Sequence, residues 1–139
     1  MIADIEKYVS IYHEKLLAQK NLYENILFIS HEEELLLKTK PLRLNKVIEL
    51  LHQKNELLNS IHQIESEIIP IREKLNDLPL ADTWKDSITV LIQQIGRLLE
   101  QLINTDAGNE QLLQDTMNYE TPKPINTTYA VNAYKTCSR

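Results

Sequence analysis

The chain carries three long stretches in which Leu and Ile recur every three to four residues, followed by a segment without this spacing. The stretches run from about Ile2 to Lys38, from Leu44 to Leu75 and from Trp84 to Met117. Such a spacing places the apolar side chains along one face of an α-helix. The sequence therefore predicts three long helices, and residues 119–139 are predicted to form a flexible tail or one that becomes ordered on binding a partner.

Three prolines and one glycine affect where the predicted helices end. Pro41 separates the first two stretches, because the residue before a proline disfavours helical geometry, and Pro79 precedes the third. Pro70 lies inside the second stretch, where it removes a backbone donor, so we expect a kink or a helix end there. Gly108 lies inside the third stretch, and we expect the helix to continue through it at a cost of about 1 kcal/mol relative to Ala.

Helices joined by short connections pack against their neighbours in antiparallel order. The sequence thus predicts an all-α fold, an elongated antiparallel bundle of three long helices over residues 1–118. Lys54 interrupts the second apolar stripe at an expected apolar position. Either this residue helps to set the register of the helices from within the core, or the helices splay locally and admit solvent. The acidic run Glu32-Glu33-Glu34 is predicted to face solvent.

The composition excludes several classes of protein. A net charge of −5 at pH 7 leaves no basic field to attract nucleic acid or anionic lipid. Residues 1–118 hold 12 Lys and Arg against 19 Asp and Glu, whereas residues 119–139 hold three basic residues against one acidic residue. The single cysteine, Cys137, excludes an internal disulfide. Because the sequence shows no signal-peptide pattern and no long apolar run, we expect a cytoplasmic protein without membrane insertion.

No residue pattern indicates catalysis or a resident metal. Glu49 and His52 have the Glu-x-x-His spacing of di-iron sites in four-helix bundles, but such a site needs the motif twice. A solvated helix face is the better interpretation of this pair. Cys137 has no predicted means of holding a base beside it, and two isolated glycines cannot form a phosphate-binding loop. We therefore expect no enzyme, no cofactor and no metal site.

The tail is richer in aromatic and apolar side chains than a linker usually is. It contains Ile125, Tyr129, Val131 and Tyr134. Tyrosine offers a large contact area for little loss of side-chain entropy, so it suits a segment that becomes ordered on binding. The alternative for this segment is an unstructured terminus without a binding role.

Three stretches resemble the FlgN-type flagellar export chaperones, a family of small acidic proteins made of long antiparallel helices and a flexible C-terminal segment. They are residues 31–38 (HEEELLLK), 44–58 (LNKVIELLHQKNELL) and 102–113 (LINTDAGNEQLL). In the second stretch Lys54 takes the place of the family's lysine. In the third, Asn104 and Asn109 stand further apart than in the family pattern. In the tail, Tyr129 resembles a family tyrosine that precedes a glycine, although Asn132 stands where glycine would.

The resemblance implies a cytoplasmic chaperone that binds hook–filament junction proteins, prevents their premature assembly and delivers them to the type III export gate. It implies no nucleotide, metal or nucleic acid. The client contacts that we expect on this basis are Leu98, Leu102, Leu112, Leu113, Met117 and Tyr119. Tyr129 is expected to bind the export gate, with Tyr134 as the second candidate. The alternative function is a structural coiled-coil or adaptor protein that self-associates, for example as a homodimer, through its long apolar stripes.

Overall fold

The computed structural model describes the backbone of residues 2–120 and the side chains of residues 4–117. Its elements are three long helices, α1 (Ile2–Lys38), α2 (Leu44–Asn76) and α3 (Asp82–Glu120). The predicted all-α fold is confirmed, and the described residues contain no strand. Residues 121–139, which make up most of the predicted tail, lie outside the described residues.

Both helices with an internal helix breaker are continuous. Helix α2 runs past Pro70 to Asn76, so the prediction that the helix could end at this proline is wrong. Its continuation is stabilised by packing, because Ile71 and Leu75 join the same apolar cluster as Ile68. Helix α3 runs through Gly108, as the apolar spacing predicts.

Helix α1 lies between the other two and packs against both. Near one end of the bundle, Val9 of α1 belongs to the same buried cluster as Leu75 of α2 and Ile88 of α3. At the other end, Leu37 shares a cluster with Val47 and Leu113. Helix α2 is therefore antiparallel to α1, whereas α3 is parallel to it. The Cα atoms of α2 and α3 stay more than 8 Å apart over the described residues.

The core is long and narrow and consists of three clusters along the bundle. Burying an aliphatic or aromatic side chain stabilises a fold by roughly 1.5–3 kcal/mol, so these clusters supply most of the favourable free energy. The buried members are Val9, Tyr12, Leu16, Ile68, Leu75, Ile88 and Leu91 in the first cluster, Ile26, Ile61 and Leu102 in the second, and Leu37, Val47, Leu51 and Leu113 in the third. Since α1 supplies the shared face, apolar side chains on the far sides of α2 and α3 are less well covered.

Candidate functional site

A groove of about 760 Å³ opens between α2 and α3 in the half of the bundle that contains the α2–α3 connection. We call it the α2–α3 groove. Helix α1 forms its floor with Tyr12, Leu16, Gln19 and Tyr23, α2 contributes Glu65, Arg72, Leu75 and Asn76, and α3 contributes Lys85, Ile88, Thr89, Ile92, Ile95 and Leu99, with Leu80 at the connection. No Cα atom of α2 lies within 8 Å of a Cα atom of α3 over the described residues, and the space between them could hold a further element.

The α3 wall of the groove is apolar and partly exposed. Ile92 is 49% exposed and lies in a row with Ile88 and Leu99. Ile103, four residues beyond Leu99, is 60% exposed. This row exists because the apolar stripe of α3 is wider than the face that α1 covers. The uncovered isoleucines are an apolar surface that could bind another chain segment.

The opposite wall and the floor carry several polar side chains beside the apolar Leu16 and Leu75. Gln19 Nε2 donates a hydrogen bond to Glu65 Oε2 at 3.0 Å, and Arg72 Nη2 lies 3.3 Å from Glu65 Oε1. Arg72 Nε also donates to the Tyr12 hydroxyl at 3.4 Å. The Gln19–Glu65 and Arg72–Tyr12 bonds join α1 to α2, and they make the α2 wall of the groove more polar than the α3 wall. Such an arrangement fits an amphipathic segment, whose two faces differ in the same way.

Tyr23 keeps a neutral hydroxyl on the floor of the groove. Burial, and secondarily the negative charge of Glu65, raises the pKa of this phenol above its ordinary value of 10.0. The hydroxyl therefore stays protonated throughout the physiological pH range and can donate a hydrogen bond to an occupant of the groove.

A buried polar network joins all three helices between the second and the third apolar cluster. Lys54 of α2 is 1% exposed, and its Nζ lies 2.6 Å from Asp106 Oδ1 of α3 and 3.3 Å from Glu33 Oε1 of α1. Ser30 Oγ donates to the same Asp106 oxygen at 2.8 Å. Asn109 Nδ2 donates to the Ser30 carbonyl at 2.8 Å. Buried charges are tolerated when they are paired and hydrogen-bonded, and this network meets that condition for Lys54.

The network corrects two predictions. The alternative in which the helices splay and admit solvent at Lys54 is wrong, because this side chain lies in the core. The prediction that Glu33 faces solvent is also wrong. Glu33 lies three residues after Ser30 and four before Leu37, and both of these residues are buried, so all three share the inner face of α1.

The burial of the network residues on α3 was not predicted, although a signal was available. Asp106 and Asn109 fall between Leu102 and Leu113 at spacings of four, three and four residues. These are positions on the apolar stripe of α3, so a polar residue at either of them is a candidate for burial. The sequence does not show that their partner is Lys54, since that pairing depends on how the helices align.

The residues predicted for client binding do not share one surface. Leu102 and Leu113 are buried in the core, so their side chains are not accessible in this arrangement. Leu98, Leu112 and Met117 are half-buried, and the last two pack against the cluster around Leu37. The side chains of Tyr119, Tyr129 and Tyr134 lie outside the described residues. The roles given to these residues stay predictions.

Within the part of the chain that the structure describes, no cluster of three or more His, Cys, Asp or Glu side chains could hold a metal ion. No helix in this part has the length and the apolar character needed to cross a membrane.

Comparison with known proteins identified no relative of this chain. The sequence matches no protein-family model and no curated protein, and the structure matches no solved structure. The resemblance to FlgN-type chaperones therefore rests on the residues quoted above, and membership of that family stays a prediction.

Proposed function

We propose that this protein is a cytoplasmic chaperone that binds a helical segment of a hook–filament junction protein and delivers it to the type III export apparatus. The α2–α3 groove is the observation that supports a binding role. The resemblance to FlgN-type chaperones supports this class of client. In this proposal the groove, rather than the buried Leu102 and Leu113, is the principal client surface.

The dimensions and chemistry of the groove suit a helix. Its α3 wall extends from Lys85 to Leu99, which corresponds to about 21 Å of helix. An amphipathic client helix of similar length could place its apolar stripe on Ile92 and Ile95. Its polar edge would then lie near Arg72 and Glu65 on the α2 wall.

Chaperone activity of this kind requires no chemical step. A client helix that is held in the groove cannot pair with other junction-protein subunits, so binding lowers the concentration of free client by mass action. Release follows when the complex reaches the export gate. Tyr129 and Tyr134 remain the predicted contacts with that gate.

The proposal is tested by titrating the full-length chain with purified hook–filament junction proteins in a calorimeter. We expect Ile92→Asp to weaken binding on the order of tenfold or more, because it places a charge on the apolar wall. Val90→Asp is the matched control. Val90 is also 49% exposed, but it lies two residues away and points about 200° around α3 from Ile92.

Two results would count against the proposal. If the two variants bind equally well and retain wild-type helicity, the groove is not the client surface. If the wild-type chain binds no hook–filament junction protein, the export-chaperone function is rejected, whatever the groove binds.

Self-association is a second candidate function, favoured by a different surface. Leu17, Phe28 and Leu35 lie on one side of α1, because spacings of 11 and 7 residues are about three and two helical turns. Phe28 is 65% exposed and Leu35 is 68% exposed. A second copy of the chain could bury these side chains.

Sedimentation velocity over a range of protein concentrations tests this candidate. A dimer that dissociates on dilution, and that Phe28→Asp abolishes while Ile92→Asp leaves intact, would support self-association through α1. A monomer at all concentrations would exclude it.

A further inference from the structure

The α2–α3 groove lies beside the helix that leads into residues 121–139. We propose that this C-terminal segment of the same chain occupies the groove when no partner is bound. Its effect on client binding rests on the proposed function, whereas the occupancy itself does not.

The segment is long enough to reach the groove. It starts at the end of α3, and the groove begins at Leu99, about 32 Å back along the helix. The far end of the α3 wall, at Lys85, is about 52 Å from the end of α3. Nineteen extended residues span about 63 Å. An extended segment that returned along α3 could therefore cover the whole apolar wall.

The position also completes the packing of the bundle. Helix α1 packs against both α2 and α3, and the groove between α2 and α3 leaves a position for a fourth element in that half of the bundle. A chain that leaves α3 and turns back would enter this position antiparallel to α3. Up-down-up-down connection by a short turn is the simplest topology of such bundles.

The chemistry of the segment matches that of the groove. With 3.3 Å per extended residue, Tyr129 would lie about 30 Å from the end of α3, close to Ile103 and Leu99. Tyr134 would lie at about 46 Å, between Ile92 and Ile88. Residues 121–139 thus bring aromatic side chains to the exposed isoleucines.

The net charges of the two parts are opposite, whereas the groove lining itself holds Arg72 and Lys85 against Glu65. Residues 121–139 hold three basic residues, namely Lys123, Lys135 and Arg139, and no acidic residue. Of the 15 basic and 20 acidic residues in the chain, 12 basic and all 20 acidic residues therefore lie in residues 1–120, which gives a net charge of −8. Because the two parts belong to one chain, the effective concentration of residues 121–139 at the groove is on the order of millimolar. Even a weak contact would therefore form.

Occupancy by this segment would make it a competitor of the client. A client helix would have to displace it, so the apparent affinity would equal the intrinsic affinity multiplied by the fraction of chains with a free groove. This role differs from the client contact that the sequence suggests for the tail. If residues 121–139 compete with the client, substitutions that weaken their contacts should raise the affinity for the client. If these residues contact the client, the same substitutions should lower it.

The single cysteine allows a direct test on the full-length chain. A nitroxide on Cys137 broadens the NMR signals of nearby amides, and the reduced label gives the reference. We expect Ile88 and Ile92 to lose most of their signal intensity. Leu17, at a similar height on the outer side of α1, should lose much less. The double variant Tyr129→Ser, Tyr134→Ser, which keeps the label and the tether length, should restore the groove signals.

Three outcomes would overturn the inference. Broadening concentrated near the start of the tether, at Leu113 and Leu37, would mean that the segment does not enter the groove. Equal broadening at Ile92 and Leu17 would show that the segment contacts the bundle without binding in the groove. Broadening of an isotope-labelled Cys137→Ser chain by a separate nitroxide-labelled chain would assign the occupant to a second copy.

The client titration separates this inference from the proposed function. If the segment occupies the groove, the double tyrosine variant should bind a junction protein more tightly than the wild-type chain. Groove broadening without client binding would retain the inference and reject the proposed function. Client binding that depends on Ile92, without groove broadening, would retain the function and reject the inference.

Discussion

Lys54 is held in the core by side chains from all three helices. Its ammonium group lies between Asp106 and Glu33, and Ser30 donates to the same Asp106 oxygen. A lysine in an apolar interior is stable only when such partners compensate for lost hydration. Ion pairs of this kind add little net stability over apolar packing. They do destabilise any register of the helices in which this lysine is not paired with the two carboxylates.

We expect Lys54→Met to lower the free energy of unfolding by about 3–5 kcal/mol, because it leaves two carboxylates in the core without their cation. Urea denaturation at neutral pH measures the change. Lys46→Met on the same helix is the control, and since Lys46 is exposed the change should stay within about 0.5 kcal/mol. Equal stability of the two variants would contradict the buried network.

Tyr23 makes a pH-dependent contribution to stability. Burial raises its pKa, so the folded protein keeps the phenol proton to a higher pH than the unfolded chain does. The contribution is fully present below the ordinary pKa of 10.0 and is lost as the pH rises through the folded-state pKa. We expect the free energy of unfolding to fall less between pH 9 and 11 in Tyr23→Phe than in the wild type. Identical pH profiles in urea denaturation would refute this expectation.

At the scale of elements, α3 carries more apolar surface than one neighbour can cover. Its inner residues, such as Leu91 and Leu102, pack in the core, while Ile92 and Ile103 remain exposed. Helix α2 faces it across the groove with the polar residues Glu65, Arg72 and Asn76, beside the apolar Leu75. The half-covered stripe of α3 and the more polar face of α2 together create the groove.

Helix α2 contains Pro70, a residue type that is unfavourable inside a helix. Pro70 removes a backbone hydrogen bond inside a continuous helix, and its side chain is exposed. We expect Pro70→Ala to raise the free energy of unfolding by about 1–3 kcal/mol, as measured by thermal and urea denaturation. Glu73→Ala, an exposed change on the same helix, should have little effect. A destabilised Pro70→Ala variant would mean that the proline is required by the local packing.

At the scale of the whole molecule, the two halves of the bundle differ in how α2 and α3 are connected. In one half the Lys54–Asp106 ion pair and the cluster of Val47, Leu51 and Leu113 join them directly. In the other half Leu75 and Ile88 share the cluster around Val9, and the groove opens beside them. The second half therefore has room for a partner without any loss of the network.

This difference should appear in amide hydrogen exchange. We expect residues 65–76 of α2 to exchange faster than residues 44–58, because the first range has fewer buried side chains and contains Pro70. Mass-spectrometric exchange on the full-length chain measures both ranges in one experiment. Equal protection would show that the groove does not weaken this half of the helix.

The helices could be predicted from the sequence alone. The three- to four-residue apolar spacing, together with Pro41 and Pro79, predicted all three elements close to their observed bounds, because these signals act within one segment of chain. The apolar stripes also predicted most of the core. Lys54 was recognised as an exception to its stripe, although its environment was left open between two alternatives.

Which helix faces are in contact follows only from the packing of the three helices, and three features depend on this packing. Glu33 is buried because its side of α1 faces the core at the height of Lys54 and Asp106. Leu102 and Leu113 belong to the core and not to a surface. The groove exists because α1 lies between α2 and α3 and keeps their backbones apart. Helical spacing gives the direction of each side chain around its own axis, but the relative rotation and separation of helices follow only from their packing.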